Sequence, residues 1–371
     1  MKKVLQIGMT KNLGGIESYL MNQFRHLDRQ KIVYDFVNIT GEFEIAFEQE
    51  ILQSGSKIYK IPTRHKNPIQ HYFSWLKLLW KIRGHYSAIV LNANSLSYVF
   101  PIFAAKFFGI SKRIFHSHNS GDELKMSTAR KILVAVNKIL LSIGATEFFA
   151  CSEKAGRWMF GSKKFRVINN AIDARKLQFD PKTRDEVRKN FNVENKFVMI
   201  HVGRFTFQKN HEFLIDVFSK VAEKYSDAVL FLVGDAVEDR AFLDSAQKKV
   251  TRSNLNDRVF FLGLRRDVDK LLQAADCFLL PSKFEGLPMS GIEAQAAGLP
   301  CIFSSNITTE LEITRDLVQY VSLDAPLETW LGAVTKARTI IRRNTFDEIS
   351  NAGYDISTEV TKLEKFFGGD K

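Results

Sequence analysis

The chain has 371 residues, of which 45% are hydrophobic and 25% are charged. This balance excludes a collagen-like, disulfide-rich or intrinsically disordered protein, and the length predicts two domains. The net charge of +12 favours an anionic partner such as a nucleotide, an anionic lipid or a nucleic acid, and a basic surface without a particular partner is the alternative.

The cysteines and the apolar runs narrow the cellular context. Cys151, Cys277 and Cys301 show no paired spacing, which argues against a disulfide framework and against a zinc site. The start MKKVLQIGM has too short an apolar run for a secretory signal, and no run approaches the roughly 20 residues of a membrane span. We therefore expect a cytoplasmic protein.

The first half of the chain alternates predicted strands and helices. KVLQIG (Lys3 to Gly8) predicts a strand, and the polar loop MTKNLGG leads to the helical spacing of IESYLMNQFRHL (Ile16 to Leu27). IVYDFVNI, SAIVLNA, KRIFHSH and TEFFACS predict further short strands. This alternation indicates a parallel sheet with helices on both faces.

The same pattern restarts near residue 197, after a charged stretch at 173–195 that marks a domain junction. FVMIHVGRF, AVLFLVGD, VFFLGL, CFLLPS and LPCIFSS predict strands, and EFLIDVFSKVAEKY predicts a helix. We expect two doubly wound α/β domains, at residues 1–172 and 173–350, with the ligand in the cleft between them.

Three loops carry candidate binding residues. Gly14 and Gly15 follow the first strand without the GxGxxG spacing, so they indicate either a close approach to an anion or a plain tight turn. In GRFTFQKN, Arg204 and Lys209 follow a buried strand, where two cations suit a diphosphate; two solvated cations are the alternative.

The third loop is EGLPMSGIEAQAAGLP, which contains two glutamates. We predict a helix from about Met289 to a stop at Gly298, which puts Glu285 in the loop before the helix and Glu293 on its second turn. Phosphate suits the helix N-terminus, and the two carboxylates can accept hydrogen bonds from sugar hydroxyls. A glycosidase pair and exposed helix glutamates are the alternatives.

Taken in order, these motifs resemble the glycosyltransferase family 4 (group 1) enzymes of the GT-B fold. The resemblance covers nearly the whole chain and extends to VINNAID, LVGD and FLGLRRDV; the last loop is most similar to the bacterial capsular and exopolysaccharide branch. It implies two facing Rossmann-like domains, an N-terminal acceptor domain and a C-terminal donor domain. It also implies that a C-terminal helix, at 351–371, packs back on the N-terminal domain.

The resemblance implies a retaining, metal-independent transfer of a hexosyl or N-acetylhexosaminyl group. The donor would be a nucleotide-diphosphate sugar, with UDP expected, and the acceptor a saccharide or lipid-linked sugar in cell-surface polysaccharide synthesis. No cofactor and no metal are expected, because Arg204 and Lys209 would neutralise the diphosphate. Glu293 would hold the ribose and Glu285 the donor sugar.

Further site residues follow from the motif positions. His118 in FHSHNS would face the transferred sugar, although His116 competes for that role. The catalytic set implied by the resemblance is His118, Arg204, Lys209 and Glu285. The donor-binding set is Gly14, Gly15, Gly203, Arg204, Lys209, Leu264, Arg265, Glu285, Gly286, Leu287, Pro288, Met289 and Glu293.

Residues 57–86 form a basic and aromatic segment, with seven Lys/Arg and no acidic residue. The segment predicts an amphipathic helix that lies on an anionic membrane surface. ARKILVAVNKILLSIG is a second candidate. The alternative is an ordinary helix that packs Leu76, Leu79 and Trp80 against the sheet.

Two other functions are compatible with parts of the sequence. A UDP-N-acetylglucosamine 2-epimerase would share two such domains and the nucleotide site. A basic nucleic-acid-binding protein would explain the charge, but no nucleic-acid motif is present, so we expect no nucleic-acid partner.

Overall fold

A computed structural model of the chain describes residues 1–41, 43–119, 121, 127–236 and 240–369. It divides into two compact units: the first comprises Met1–Ala171 and Ile356–Lys371, and the second comprises Ile172–Asp355. In the described part of the chain, no helix is long and apolar enough to cross a membrane.

The first unit is built on a seven-stranded parallel sheet. Its strands are β1 (Lys2–Ile7), β2 (Ile32–Asn38), β3 (Ile58–Lys60), β4 (Ala88–Ala93), β5 (Lys112–Ser117), β6 (Glu147–Ala150) and β7 (Arg166–Val167). Its helices, up to the end of this sheet, are α1 (Gly15–His26), α2 (Glu48–Gln53), α3 (Pro68–Ile82), α4 (Phe100–Ala105), α5 (Thr128–Gly144) and α6 (Glu153–Phe160). The strand order is β3-β2-β1-β4-β5-β6-β7.

The second unit repeats the plan with six parallel strands. The strands are β8 (Phe197–Val202), β9 (Ala228–Val233), β10 (Val259–Gly263), β11 (Cys277–Leu280), β12 (Cys301–Ser304) and β13 (Val318–Val321). The helices are α7 (Pro181–Asn190), α8 (His211–Lys224), α9 (Ala241–Arg252), α10 (Val268–Ala274), α11 (Met289–Ala296), α12 (Leu327–Ala337) and α13 (Phe346–Asn351). The strand order is β10-β9-β8-β11-β12-β13.

Both sheets are covered on two faces, which explains why their strands are apolar without alternation. All six residues of β9, AVLFLV, are buried. The prediction of two doubly wound α/β domains is confirmed.

The last helix, α14 (Ile356–Gly368), belongs to the first unit and contacts α1 and β2. Glu364 accepts hydrogen bonds from the Asp28 backbone N–H at 2.8 Å and from Lys31 Nζ at 3.1 Å. Phe367 packs edge-on against Tyr34. The helix begins five residues later than residue 351, because 346–351 form α13 in the second unit.

The basic segment 57–86 is not one helix. Only Pro68–Ile82 is helical: Asn67 caps the helix by accepting from the Gln70 backbone N–H, and residues 58–60 form β3. The predicted packing is right for Leu79, which is buried, and wrong for Leu76 and Trp80, which are exposed. The face that packs inward contains His71, Trp75, Leu78, Leu79 and Ile82.

Candidate functional site

The strand orders place a topological switch in each sheet. Chain connections leave in opposite directions from β1 and β4 in the first unit, and from β8 and β11 in the second. Loops after such strands diverge and leave a crevice at the carboxyl end of the sheet, where ligands of open α/β sheets bind. The predicted site residues of each unit lie mostly on these loops.

In the second unit, the loop after β8 is tied to the loop after β11. Asn210 adopts a left-handed conformation (φ 57°) at the start of α8, and its side-chain amide donates to the Pro281 carbonyl at 3.2 Å. The Lys283 backbone N–H donates to the Gln208 carbonyl at 2.8 Å. The loop at 203–210 is therefore held beside residues 281–288.

An ion pair joins these two loops at the switch point. Lys209 Nζ lies 2.7 Å from Glu285 Oε1, and both side chains are largely buried. Gln208 Nε2 donates to Glu285 Oε2 and to the Phe284 carbonyl, both at 2.9 Å. The structure thus brings together the predicted phosphate cation and the predicted sugar carboxylate, and it adds Gln208, which sequence reasoning did not select.

Two glycines let the backbone approach this pair closely. Gly234, after β9, has φ of +139°, and a Cβ there would lie 2.1 Å from the Gly203 carbonyl oxygen. A Cβ on Gly203 would lie 3.0 Å from Lys209 Cδ and Cε. Sequence reasoning selected Gly203 but not Gly234, whose only signal was its place in LVGD.

A neutral aromatic cluster lies beneath the loop. Buried His201 contacts the Leu279 carbonyl through Nδ1 at 2.8 Å, and His211 stacks on Phe205 with ring centroids 3.9 Å apart. Burial lowers the pKa of His201 to about 3 and also lowers the pKa of His211. Neither imidazole is charged near neutral pH, so Lys209 and exposed Arg204 supply the positive charge of this loop.

Glu293 lies on α11 in a different environment from Glu285. Burial and the nearby Asp269 carboxylate raise its pKa to about 7, and Lys176 opposes this shift. Lys176 Nζ is itself 3.1 Å from Asp269 Oδ2. Glu293 is therefore partly protonated near neutral pH, which the sequence did not indicate.

The remaining residues of the predicted donor-binding set fall into two loops. Gly286, Leu287, Pro288 and Met289 are buried in the turn that leads into α11. Gly263, the last residue of β10, has φ of +65°, and Leu264 is half exposed, whereas the Arg265 guanidinium is engaged with Asp267 at 2.7 and 2.8 Å. The Arg265 guanidinium is thus paired within its own loop, and Leu264 and Arg266 are exposed on either side of it.

In the first unit, His118 follows β5 and is held by a directed hydrogen bond. Its Nε2 lies 3.1 Å from Asn92 Oδ1. The Asn92 amide nitrogen donates to Gln6 Oε1 and to the Ile7 carbonyl, both at 3.0 Å, so the amide oxygen is the side that faces His118. Nε2 therefore carries the proton, and Nδ1 is an acceptor. Burial lowers the pKa of His118 to about 3, which keeps the ring neutral.

The structure separates His118 from its competitor, His116. The His116 ring is fully buried, 4.0 Å from the His118 ring and packed edge-on against Tyr19. Burial lowers its pKa well below the ordinary value. His118 is partly exposed, so of the two only His118 reaches the surface.

The Gly14–Gly15 loop is organised by a carboxylate that sequence reasoning missed. Glu17 accepts from the Thr10 backbone N–H at 2.9 Å and from Thr10 Oγ1 at 2.8 Å. A Cβ on Gly14 would lie 2.8 Å from Glu17 Oε2, whereas a Cβ on Gly15 would meet open space. A side chain at Gly14 would therefore displace the end of the Glu17 side chain, and Gly15 leaves the first turn of α1 accessible.

Comparison with known proteins agrees with the resemblance that the motifs carry. Residues 182–332 match the family model "Glycosyl transferases group 1". The putative glycosyltransferase EpsF of Bacillus subtilis is 29% identical over 98% of this chain and 95% of its own length. The UDP-Gal:α-D-GlcNAc-diphosphoundecaprenol α-1,3-galactosyltransferase of Escherichia coli is 25% identical over 98% of this chain and 96% of its own.

Solved structures are similar over the whole chain. HepE of Anabaena, in complex with UDP and glucose, has a TM-score of 0.79 at 19% identity and covers 100% of both chains. WaaG, a glycosyltransferase of lipopolysaccharide biosynthesis, has a TM-score of 0.72 at 16% identity, covering 99% of this chain and 100% of its own. At these identities the similarity concerns the fold, which is GT-B.

Proposed function

We propose that this chain, whose residues 182–332 match the model of the group 1 glycosyltransferases, transfers a sugar from a UDP-sugar to a lipid-linked saccharide with retention at the anomeric carbon. The observation that carries this proposal is the Lys209–Glu285 ion pair at the switch point between β8 and β11. A cation for the diphosphate and an acceptor for sugar hydroxyls lie next to each other there.

The choice of donor rests on the relatives. HepE was solved with UDP and with UDP-glucose, and the Escherichia coli relative is named for UDP-Gal. In this chain, Glu293 would accept hydrogen bonds from the two ribose hydroxyls, and the backbone at Leu264 and Arg265 would border the base.

The proposed reaction uses charge rather than a protein nucleophile. The bond between the anomeric carbon and the donor phosphate oxygen breaks, and its electron pair leaves with the diphosphate. Lys209 and Arg204 stabilise that anion without a metal, which is the largest catalytic effect available to such a site. The acceptor hydroxyl attacks from the same face and passes its proton to the departing phosphate oxygen.

Lys209 and Glu285 would change partners when the donor binds. In the structure each neutralises the other. The diphosphate would draw Lys209 Nζ, while Glu285, still held by Gln208, would accept from a hydroxyl of the donor sugar. His118, with Nδ1 as acceptor, would receive a hydrogen bond from another sugar hydroxyl.

The acceptor class is also proposed from relatives. The Escherichia coli enzyme is named for a diphosphoundecaprenol-linked sugar, and CapH of Staphylococcus aureus, 26% identical over 99% of this chain, is named for capsular polysaccharide biosynthesis. We place this chain in the same process, at the cytoplasmic side of the membrane.

Donor binding is tested first by thermal shift with UDP-, GDP- and ADP-sugars, because a ligand that binds only the native state raises its stability. Stabilisation by UDP-sugars alone is expected. Equal shifts with all three, or none, would contradict the choice of donor.

Catalysis is tested with Lys209→Ala, for which we expect kcat to fall about 10²–10³-fold. Lys209→Arg, which keeps the charge, is the matched control, and circular dichroism checks that both variants fold. EDTA should leave the wild-type rate unchanged. Near-normal turnover of Lys209→Ala would refute the assignment.

Product analysis separates the other functions. An epimerase changes the sugar when supplied with donor alone, whereas the proposed transferase needs an acceptor. A nucleic-acid-binding protein would show salt-sensitive binding to DNA or RNA.

A further inference from the structure

The positive charge of the chain is concentrated in one segment. Residues 51–146 contain 14 Lys/Arg and two Asp/Glu, so they carry the entire net charge of +12. The other 275 residues contain 39 of each kind. A basic surface spread evenly over the protein does not explain this distribution.

The helices of this segment cover one face of the first sheet. α3, α4 and α5 lead by successive crossovers into the adjacent strands β4, β5 and β6, and right-handed crossovers in one direction put their helices on the same face. α4 contacts both α3 and α5 and therefore lies between them. α3 and α5 form the outer flanks of this layer.

The same helices expose most of the large hydrophobic side chains. In the described part of the chain, nineteen such side chains are exposed, and ten of them lie on α3, α5 and the turn after α4. The ten are Ile69, Phe73, Leu76, Trp80, Phe107, Ile132, Leu133, Val136, Ile139 and Ile143. We call this set, with the exposed cations beside it, the α3–α5 surface.

On α5 the exposed apolar side is distinct from the packed side. Gly144 lets α5 approach α4, since a Cβ there would lie 2.6 Å from Phe103 Cα. The Asn137 amide donates to the Leu96 carbonyl at 2.7 Å. The opposite side presents Ile132 and Ile139, which are 61% and 63% exposed and spaced by two helical turns.

Cations stand directly next to these apolar residues. Lys131 and Lys138 precede Ile132 and Ile139 and are exposed. On α3, Trp80 is 60% exposed, and the Arg83 guanidinium lies 4.2 Å from its ring centroid. Aliphatic side chains flanked by Lys/Arg, with an aromatic ring between, are the composition of a helix that lies in a membrane interface.

We propose that the α3–α5 surface docks this protein on an anionic lipid bilayer. Lipid headgroups would pair with the cations, and the isoleucines, Phe73 and Trp80 would enter the boundary with the acyl chains. A second copy of the chain fits poorly, because two such surfaces would repel each other. A nucleic acid fits poorly as well, because exposed isoleucine offers it neither a hydrogen bond nor a stacking partner.

Docking would hold the enzyme on the membrane that carries a lipid-linked acceptor; that consequence rests on the proposed function, whereas the docking itself does not. UDP-sugar binding is a separate readout. A protein that binds vesicles but no nucleotide sugar would contradict only the proposed function.

The apolar part is tested by co-sedimentation with vesicles of phosphatidylcholine, with or without phosphatidylglycerol. We expect wild-type protein on the anionic vesicles only. Ile132→Ser/Ile139→Ser should lower the bound fraction more than about tenfold, since about three methylene equivalents leave the bilayer at each site. Ile341→Ser, at a still more exposed position in the second unit, is the control and should bind normally.

The electrostatic part is tested with Lys131→Glu/Lys138→Glu, with Lys248→Glu as the control. Each cation near an anionic surface strengthens partition about fivefold, so the double reversal should abolish binding, and salt should weaken wild-type binding. Because all these side chains are exposed, the variants should keep the wild-type circular dichroism spectrum and the wild-type thermal shift with UDP.

The fluorescence of Trp80 reports whether the α3–α5 surface faces the bilayer. We expect its fluorescence to shift to the blue on anionic vesicles and to be quenched by brominated lipid, and Trp80→Phe should remove both signals. Wild-type vesicle binding by Ile132→Ser/Ile139→Ser would overturn the proposal. The proposal would also be overturned if the wild type did not bind vesicles but formed a dimer in sedimentation that Ile132→Ser/Ile139→Ser disperses. A second copy would then cover the surface.

Discussion

Replacing Glu293 by Gln should change how stability depends on pH. The carboxyl group has an ordinary pKa of 4.5, and burial beside Asp269 raises it to about 7 in the folded chain. Gln has the same shape and does not ionise. The substitution therefore removes the cost of a partly buried negative charge with little change in packing.

The direction of the pH dependence follows from the pH at which the folded and the unfolded chain each lose the proton of Glu293. Between pH 4.5 and about 7, the unfolded chain releases the proton of Glu293 while the folded chain keeps it. The free energy of unfolding of the wild type therefore falls as pH rises through this window, and it levels off above it. At about 1.36 kcal/mol per pH unit, the total loss is up to about 3 kcal/mol.

The test therefore compares the free energy of unfolding of wild type with that of Glu293→Gln at each pH. Near pH 4.5 the two proteins should be about equally stable, and at pH 8 Glu293→Gln should exceed wild type by up to about 3 kcal/mol. Urea unfolding followed by hydrogen-exchange mass spectrometry measures this, because peptides from α11 report the second unit separately. Glu328→Gln, at an exposed position, is the control and should follow wild type.

Ionisation of Glu293 should also make donor binding depend on pH. Under the proposed function, a carboxylate at Glu293 accepts both ribose hydroxyls, so UDP binding should tighten between pH 6 and pH 8 in wild type. In Glu293→Gln it should be weaker and independent of pH in this range. Parallel stability curves for the two proteins between pH 5 and pH 8 would refute the reasoning about burial.

Three further changes test the geometry. Gly234→Ala should destabilise the second unit by about 2 kcal/mol or more in urea, because its Cβ would overlap the Gly203 carbonyl and its φ is +139°. Gln208→Leu removes the amide that orients the carboxylate of the ion pair; kcat should fall at least about tenfold, and Gln208→Glu should not restore it. Asn92→Leu frees the His118 ring, so the KM for donor should rise while UDP alone still binds, as a thermal shift can show.

Local features of the chain were enough to predict the elements of the site. The strand β11 ends at Leu280 and α11 begins at Met289, as expected from an apolar run, a Gly/Pro loop and a Gly stop. These boundaries depend on neighbours a few residues away, which the sequence displays directly. The motif order also pointed to the family whose model matches residues 182–332, because ligands of open α/β sheets bind at the loops after the strands.

Contacts between distant residues could not be predicted in the same way. Gln208 and Glu285 are 77 positions apart, and only the adjacency of β8 and β11 brings them within hydrogen-bonding distance. The requirement for Gly234 depends on the carbonyl of Gly203, which follows a different strand. The choice between His116 and His118 depends on burial, which neighbouring helices determine.

The sequence by itself determined the class of fold, the loops that carry the motifs and the excess of positive charge, because each depends on residue type and local spacing. Tertiary structure decided which groups form an ion pair, which carboxyl group has a raised pKa and which side of α5 is exposed. Those properties depend on distances and burial across the sheet, and a one-dimensional pattern does not contain them.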